Sequence, residues 1–167
     1  LYDCREGRIL IDGMDHRDFT LSSLRGQVGF VFQDCFLFNM SVLENIRYAR
    51  PEASNALVQE AARRARAHEF IRELPQGYHT RIGEAGVQLS YGERQRIGIA
   101  RAILKKPRIF IFDEAFGSLD PERREAIASE IADLATNRTM LIVTHNPSLF
   151  PRVDKELAIE GHAVVSC

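Results

Sequence analysis

Arg108-Ile-Phe-Ile-Phe-Asp-Glu114 is the stretch on which the fold turns. Four apolar residues between an arginine and two carboxylates have the length and content of a buried strand. Downstream, Asp120-Pro121 reads as a helix N-cap followed by proline at the first helical position. The helix so opened carries Ile127, Ile131 and Leu134 on one face. Thr139-Met-Leu-Ile-Val143 then reads as a second strand. Strand, helix and strand within about 35 residues make a βαβ unit, and its strands should run parallel. An α/β fold is therefore expected.

Working upstream, Ser90-Tyr-Gly-Glu93 has the form of a capping box. Ile97, Ala100, Ile103 and Leu104 continue it at helical spacing until Pro107. Gly83 and Gly86 flank a loop, and Pro75-Gln-Gly77 closes an earlier helical section. Within that section, Ser54 can cap a helix rich in Ala and Arg that runs to about His68. Another helix starts at Ser41, with Val42, Leu43 and Ile46 as its apolar stripe and Pro51 as its breaker. Val28-Gly-Phe-Val-Phe32 is a strand closed by Gln33. Leu21 to Gly26 looks like a helical turn, and Arg8 to Gly13 is a short strand entering a turn. The tail from Glu156 to Val165 reads as two strands around Glu160-Gly161. This order places a helical subdomain, residues 39–105, inside an α/β core formed by 1–38 and 106–167.

The composition excludes several classes. A chain of 167 residues with 45% hydrophobic and 27% charged residues is globular, by default one compact domain. Twenty-two basic against 23 acidic residues leave a net charge of −1, which makes no case for nucleic acid or an anionic membrane surface. No apolar run approaches the ~20 residues that span a bilayer. Cys4, Cys35 and Cys167 are scattered and odd in number, which speaks against a disulfide framework or a zinc site and suits a reducing compartment. The chain starts at Leu1 without a signal peptide and ends on Val164-Val-Ser-Cys167, so it reads as a piece of a longer polypeptide.

Open α/β sheets bind ligands beyond the carboxyl ends of their strands. Gln33 follows the first strand, Asp113-Glu114 the second and Thr144-His145 the third. Any one of these could simply be a polar strand end, but three together describe a site. An Asp in that position can hold Mg²⁺, directly or through water, while the next residue points elsewhere and can polarise a water. The Ser90 helix start adds free N–H groups and a dipole that favour an anion, and Gly92 lets a ligand approach its backbone. Alone, that helix start is merely capped.

These residues carry a resemblance. Leu89-Ser-Tyr-Gly-Glu-Arg-Gln-Arg96 resembles the signature motif of ATP-binding cassette (ABC) ATPases, LSGGQ with its basic continuation. Arg108 to Glu114 is similar to the Walker B strand with its glutamate, and Ser118-Leu-Asp120 to the D-loop. His145 matches the switch histidine and Gln33 the Q-loop glutamine. Gln33 and Ser90 stand 57 positions apart, and Ser90 and Glu114 stand 24 apart, as the family requires. A long coiled coil between Q-loop and signature, as in DNA-repair and chromosome-condensing members, is thereby excluded. Thr80-Arg-Ile-Gly-Glu-Ala-Gly86 resembles the X-loop of exporter-type transporters, which ribosome-associated members generally lack. Phe36-Leu-Phe38 and Leu43-Glu-Asn-Ile46 are also exporter-like, around a surface that in the family receives a coupling helix.

The resemblance implies a P-loop NTPase-like (RecA-like) parallel core and an ATPase that powers transport from the cytoplasmic face of a membrane. Its partners would be a transmembrane domain and a second nucleotide-binding domain, closed head to tail around two ATP molecules, with no nucleic acid. Glu114 would orient or deprotonate water, Asp113 would serve Mg²⁺, Gln33 would contact Mg²⁺ or the water, and His145 would contact the γ-phosphate. Ser90 and Gly92 would meet the partner's γ-phosphate, Glu93 would belong to the same nucleotide-binding turn, and Asp120 would work across the interface. Three departures stand out. No GxxxxGK[ST] phosphate loop occurs in the chain, Tyr91 replaces the first signature glycine, and Glu93 replaces glutamine. The chain is thus expected to be an N-terminally truncated cassette, weak or inactive alone. The alternatives are a non-catalytic or degenerate piece that donates only its signature, and a soluble ABC ATPase outside transport.

Overall fold

The computed structural model describes position 4 and residues 6–117, 121–160 and 163–166. A short hairpin of β1 (Leu10–Ile11) and β2 (Met14–Asp15) leads through a 3₁₀ turn into α1 (Leu21–Gln27), whose N-cap Thr20 accepts from the Ser23 N–H. Then comes β3 (Val28–Val31), the first strand of the central sheet. The brief β4 (Met40–Ser41) pairs with β5 (Arg81–Ile82) and brackets α2 (Val42–Arg47), α3 (Asn55–Arg64) and α4 (His68–Glu73). After α5 (Tyr91–Lys105) the chain returns to the sheet as β6 (Ile109–Asp113), crosses through α6 (Pro121–Leu134) and adds β7 (Thr139–Val143). A closing hairpin pairs β8 (Leu157–Glu160) with β9 (Ala163–Ser166).

The central sheet has the order β3-β6-β7 and is wholly parallel, as the βαβ reading requires. In-line residues of a parallel sheet share a face, so the register sorts the side chains. Val31, Phe112 and Ile142 align on one face, with Phe110 and Met140 beside them. That face packs into a core shared with Ile97, Ile103 and Leu104 of α5 and Ile127, Ile131 and Leu134 of α6. Phe30, Ile111 and Leu141 align on the opposite face, where Phe30 and Phe32 stack at 4.0 Å and remain accessible together with Leu141 and Val143.

The helix α5 docks on β3 through a single ridge. Tyr91, Gln95, Gly98, Ala102 and Lys105 recur at the spacing that lines one helix face. Gln95 Nε2 donates to the Phe32 carbonyl at 3.0 Å, and Lys105 Nζ to the Val28 and Arg25 carbonyls at 2.7 Å each. Gly98 lets the helix come close, since a Cβ there would stand 2.8 Å from Cys35 Sγ. Arg101, beside the ridge, donates to the Phe36 carbonyl at 2.6 Å and to the Asn45 carbonyl at 2.8 Å. Asn45 is itself fully buried. Its Oδ1 accepts from the Phe38 N–H at 3.0 Å and from Arg101 at 2.5 Å. Its Nδ2 lies 2.9 Å from the Phe38 carbonyl, 3.2 Å from that of Met40 and 3.0 Å from that of Ser41. One amide thus closes the loop that leaves β3.

The capping box expected at Ser90 with Glu93 forms, and a second joins Ser41 with Glu44. The helix capped by Ser54 is shorter than its composition suggests. It ends at Arg64, Arg66 turns left-handed at φ +52°, and a separate α4 starts at His68. The cause lies in tertiary contacts. The Arg66 carbonyl accepts from Arg96 of α5 at 2.9 Å, and Ala65 and Ala67 are fully buried, so packing overrides alanine's helix preference.

Two stability outcomes follow. A buried polar group left unpaired costs about 1–3 kcal/mol, so Asn45→Ala should lower the urea unfolding free energy by about 3 kcal/mol; a loss under about 1 kcal/mol would refute the role given to this amide. A Cβ on Gly86 would lie 2.4 Å from the Arg81 carbonyl oxygen, a backbone atom with no freedom to retreat. Gly86→Ala should therefore unfold at a clearly lower temperature, whereas Gly26→Ala, with nothing within 4 Å of its Cβ, should gain up to about 1 kcal/mol from helix propensity.

Candidate functional site

The parallel register brings the ends of β3, β6 and β7 to one edge. Val31 aligns with Phe112 and Phe112 with Ile142, so Gln33, Asp113-Glu114 and Thr144-His145 all emerge there. Asp113 still belongs to β6, opposite Val143, and is half-buried on the more open face of the sheet. Glu114 keeps one ladder bond, its N–H donating to the Val143 carbonyl at 3.0 Å, but its φ is +50°. A left-handed glutamate is uncommon and costs free energy that the surroundings must supply. They do so through the next two residues. Ala115 and Phe116 are buried, with Phe116 packed between Phe112 at 5.5 Å and Phe150 at 5.2 Å. Phe116 is thus a core anchor.

The left-handed bend carries the Glu114 carboxylate towards the next strand end. Glu114 Oε1 stands 3.4 Å from His145 Nε2, with the glutamate side chain 20% exposed and the imidazole 95% exposed. The imidazole projects from a loop whose flanks are pinned, since Thr144 Oγ1 accepts from the Asn146 N–H at 3.0 Å and Ser148 Oγ donates to Asn146 Oδ1 at 2.6 Å. Glu114 and His145 therefore form one unit, shielded on the carboxylate side and open to solvent on the imidazole side.

The turn that starts α5 is a second unit. Ser90 and Glu93 use their side chains on each other: Glu93 Oε2 accepts from the Ser90 N–H and Oγ at 2.8 Å each, and Ser90 Oγ accepts from the Glu93 N–H at 3.3 Å. Gly92 is half-buried, and its carbonyl accepts from Arg96 Nε at 3.3 Å. Among the described residues no hydrogen bond or ion pair joins Ser90, Gly92 or Glu93 to Asp113, Glu114 or His145. At the start of the same helix the Tyr91 hydroxyl donates to the main-chain carbonyl of Gln33, just beyond the end of β3. Asp120 lies outside the described residues.

The contacts of Tyr91, Gln95 and Arg101 with the backbone of residues 32–36 lie beyond the sequence expectations. Polar residues at positions 91, 95 and 105, on the same helical face as Gly98, were the available signal. Burial pushes the Cys35 thiol pKa up against the pull of Arg101. Phe36 is exposed and meets Phe38 edge-on at 5.3 Å. Among the described residues there is no group of three or more His, Cys, Asp or Glu that could hold a metal, and no helix long and apolar enough to cross a membrane.

Residues 1–117 match the family model described as "ABC transporter". YgaD of Bacillus subtilis (strain 168), which carries a multidrug export ATP-binding/permease name, is 46% identical over 164 residues, covering 98% of this chain and 28% of that protein. SAV1866 of Staphylococcus aureus (strain Mu50 / ATCC 700699), named in the same way, is 49% identical over 164 residues with the same coverage. The solved structure of a bacterial Atm1-family ABC exporter with ATP bound matches at a TM-score of 0.90 and 44% identity, over 95% of this chain and 28% of that one. The chain thus spans 28% of the length of these relatives. Strand ends that gather a glutamine, two carboxylates and a histidine beside a capped signature turn agree with these matches, and the chain belongs to the ABC transporter family.

Proposed function

We propose that this chain works as part of the ATP-hydrolysing engine of an exporter, on the cytoplasmic face of a membrane. The observation that carries the reading is the Glu114–His145 pair, 3.4 Å apart at the edge where parallel strands end. Glu114 is held by its neighbours in a backbone conformation it would not choose, and it is partly shielded, as suits a group that orients or deprotonates a water. His145, almost wholly exposed, reaches outward to the γ-phosphate of ATP. Gln33 lies at the same edge and would contact the attacking water or the metal.

Asp113 and Gln33 offer hard oxygen donors but no protein cage of three ligands among the described residues. That set suits Mg²⁺, which is commonly held by one or two protein oxygens plus substrate phosphates. When bound, Mg²⁺ would neutralise charge on the phosphate oxygens. Ser90, Gly92 and Glu93, at the positive end of α5, would serve the nucleotide of a second, head-to-tail copy of the cassette, with Asp120 across that interface. Residues 39–105 form the helical unit between the two parts of the core. The exposed Phe36 marks where the permease part would dock. The substrate would be chosen by that permease part.

In the protein as its cell makes it, Glu114→Gln should cut ATP turnover about 10²- to 10⁴-fold, the range for a lost general base, and leave ATP binding intact by calorimetry. Turnover within threefold of the parent would reject the assignment. The 167 residues alone, which contain no GxxxxGK[ST], should bind Mg²⁺–ATP more weakly than about 1 mM, or −4 kcal/mol. Micromolar binding by this chain would overturn that expectation.

A further inference from the structure

We propose that Tyr91 is a positioning residue for Gln33. Its phenol ties the first turn of α5 to the backbone of the loop after β3 and so sets where the Gln33 side chain stands. This rests on the reading above, in which Gln33 faces the water or the metal.

Three observations converge. The Tyr91 hydroxyl donates to the Gln33 main-chain carbonyl across 58 positions of sequence. One helical turn later, Gln95 Nε2 donates to the preceding carbonyl, that of Phe32, at 3.0 Å. Two successive carbonyls are therefore held by residues one turn apart on a single rigid helix, which fixes the orientation of the intervening peptide as well as its position. The third observation is that the phenol is itself held. The Arg94 guanidinium lies 5.5 Å from the ring centre, and Arg94 Nη1 donates to the Leu89 carbonyl at 2.7 Å. Tyr91 is half-buried, so its ring has little freedom to leave.

Gln95 alone would leave Gln33 at the end of a lever. The side chain of Gln33 is exposed, and the next residue, Asp34, is exposed too. The following contacts between α5 and the loop are at Cys35, whose Sγ lies 3.8 Å from Arg101 Nη1, and at the Phe36 carbonyl, which accepts from Arg101. Without the phenol, Gln33 and Asp34 would stand unheld by α5 between the contacts at Phe32 and Cys35. A glycine at position 91, as in the family's LSGGQ pattern, supplies no such bond. The tyrosine thus adds a direct link between the signature turn and the glutamine, so that a displacement of one is felt by the other.

The test uses the protein as its cell makes it, with Tyr91→Phe, Gln33→Ala and the double variant. Tyr91→Phe removes only the hydroxyl and keeps the ring under Arg94. It should lower kcat for ATP about three- to tenfold, the range expected for one hydrogen bond, with KM within twofold. In the Gln33→Ala background the same change should have no further effect, because the side chain being positioned is gone. Backbone amide exchange across residues 33–38 should speed up in Tyr91→Phe and not in Tyr78→Phe, whose hydroxyl pairs with His68 at 2.9 Å instead. A merely stabilising tyrosine would give independent, additive effects in the two backgrounds, and that result would overturn the proposal. Unchanged kcat with unchanged exchange would overturn it as well. Should the parent protein show no ATP turnover, the functional reading falls, and the exchange comparison still decides whether Tyr91 holds the loop.

Discussion

The ridge of α5 that runs from Tyr91 through Gln95 and Gly98 to Lys105 reads the carbonyls of β3 and of the loop beyond it, and the placement of the candidate site depends on that contact. A strand in a parallel sheet normally has its backbone groups engaged by neighbouring strands. Here β3 has β6 on one side, and part of its remaining carbonyl row is met by helix side chains. Burial lowers the pKa values of Arg101 and Lys105, and each donates to backbone carbonyls. Bonds from charged donors are worth about 1.5–3 kcal/mol each, more than neutral ones. The capped N-terminus of α5 and the end of β3 are thus held in a fixed relation, and that relation carries Gln33.

The second constraint is the left-handed turn at Glu114. A strand that simply continued would send alternate side chains to alternate faces. The positive φ breaks that alternation at the residue where Glu114 must reach towards His145. The contacting aromatics Phe110, Phe112, Phe116 and Phe150 hold the bend, so core packing on one side of the sheet stabilises strain at its edge.

Much of this could be read from residue order. The βαβ unit, the Ser90 capping box, the breaks at Pro51 and Pro107, and the hairpin at the tail follow from local chemistry, and the structure has them. The strand ends that gather Gln33, Asp113, Glu114 and His145 followed from the rule that parallel sheets present their carboxyl ends together. What local chemistry could not supply was long-range. The break between α3 and α4 depends on Arg96, thirty residues away, reaching the Arg66 carbonyl. The Tyr91 contact joins residues 58 positions apart, and the role of Phe116 requires Phe150. Such pairs have no periodicity to betray them.

The sheet order has a consequence for synthesis. Val28 pairs with Ile109, so β3 leaves the ribosome 81 residues ahead of the strand that completes it. At about 5–20 residues per second that is a wait of about 4–16 s, far longer than local helices need to form. Because α5 emerges before β6, its ridge can seat on the nascent β3 and occupy its carbonyls until the neighbouring strand arrives. The helix that places Gln33 in the finished molecule would then also act, during birth of the chain, as an internal chaperone for an otherwise naked strand.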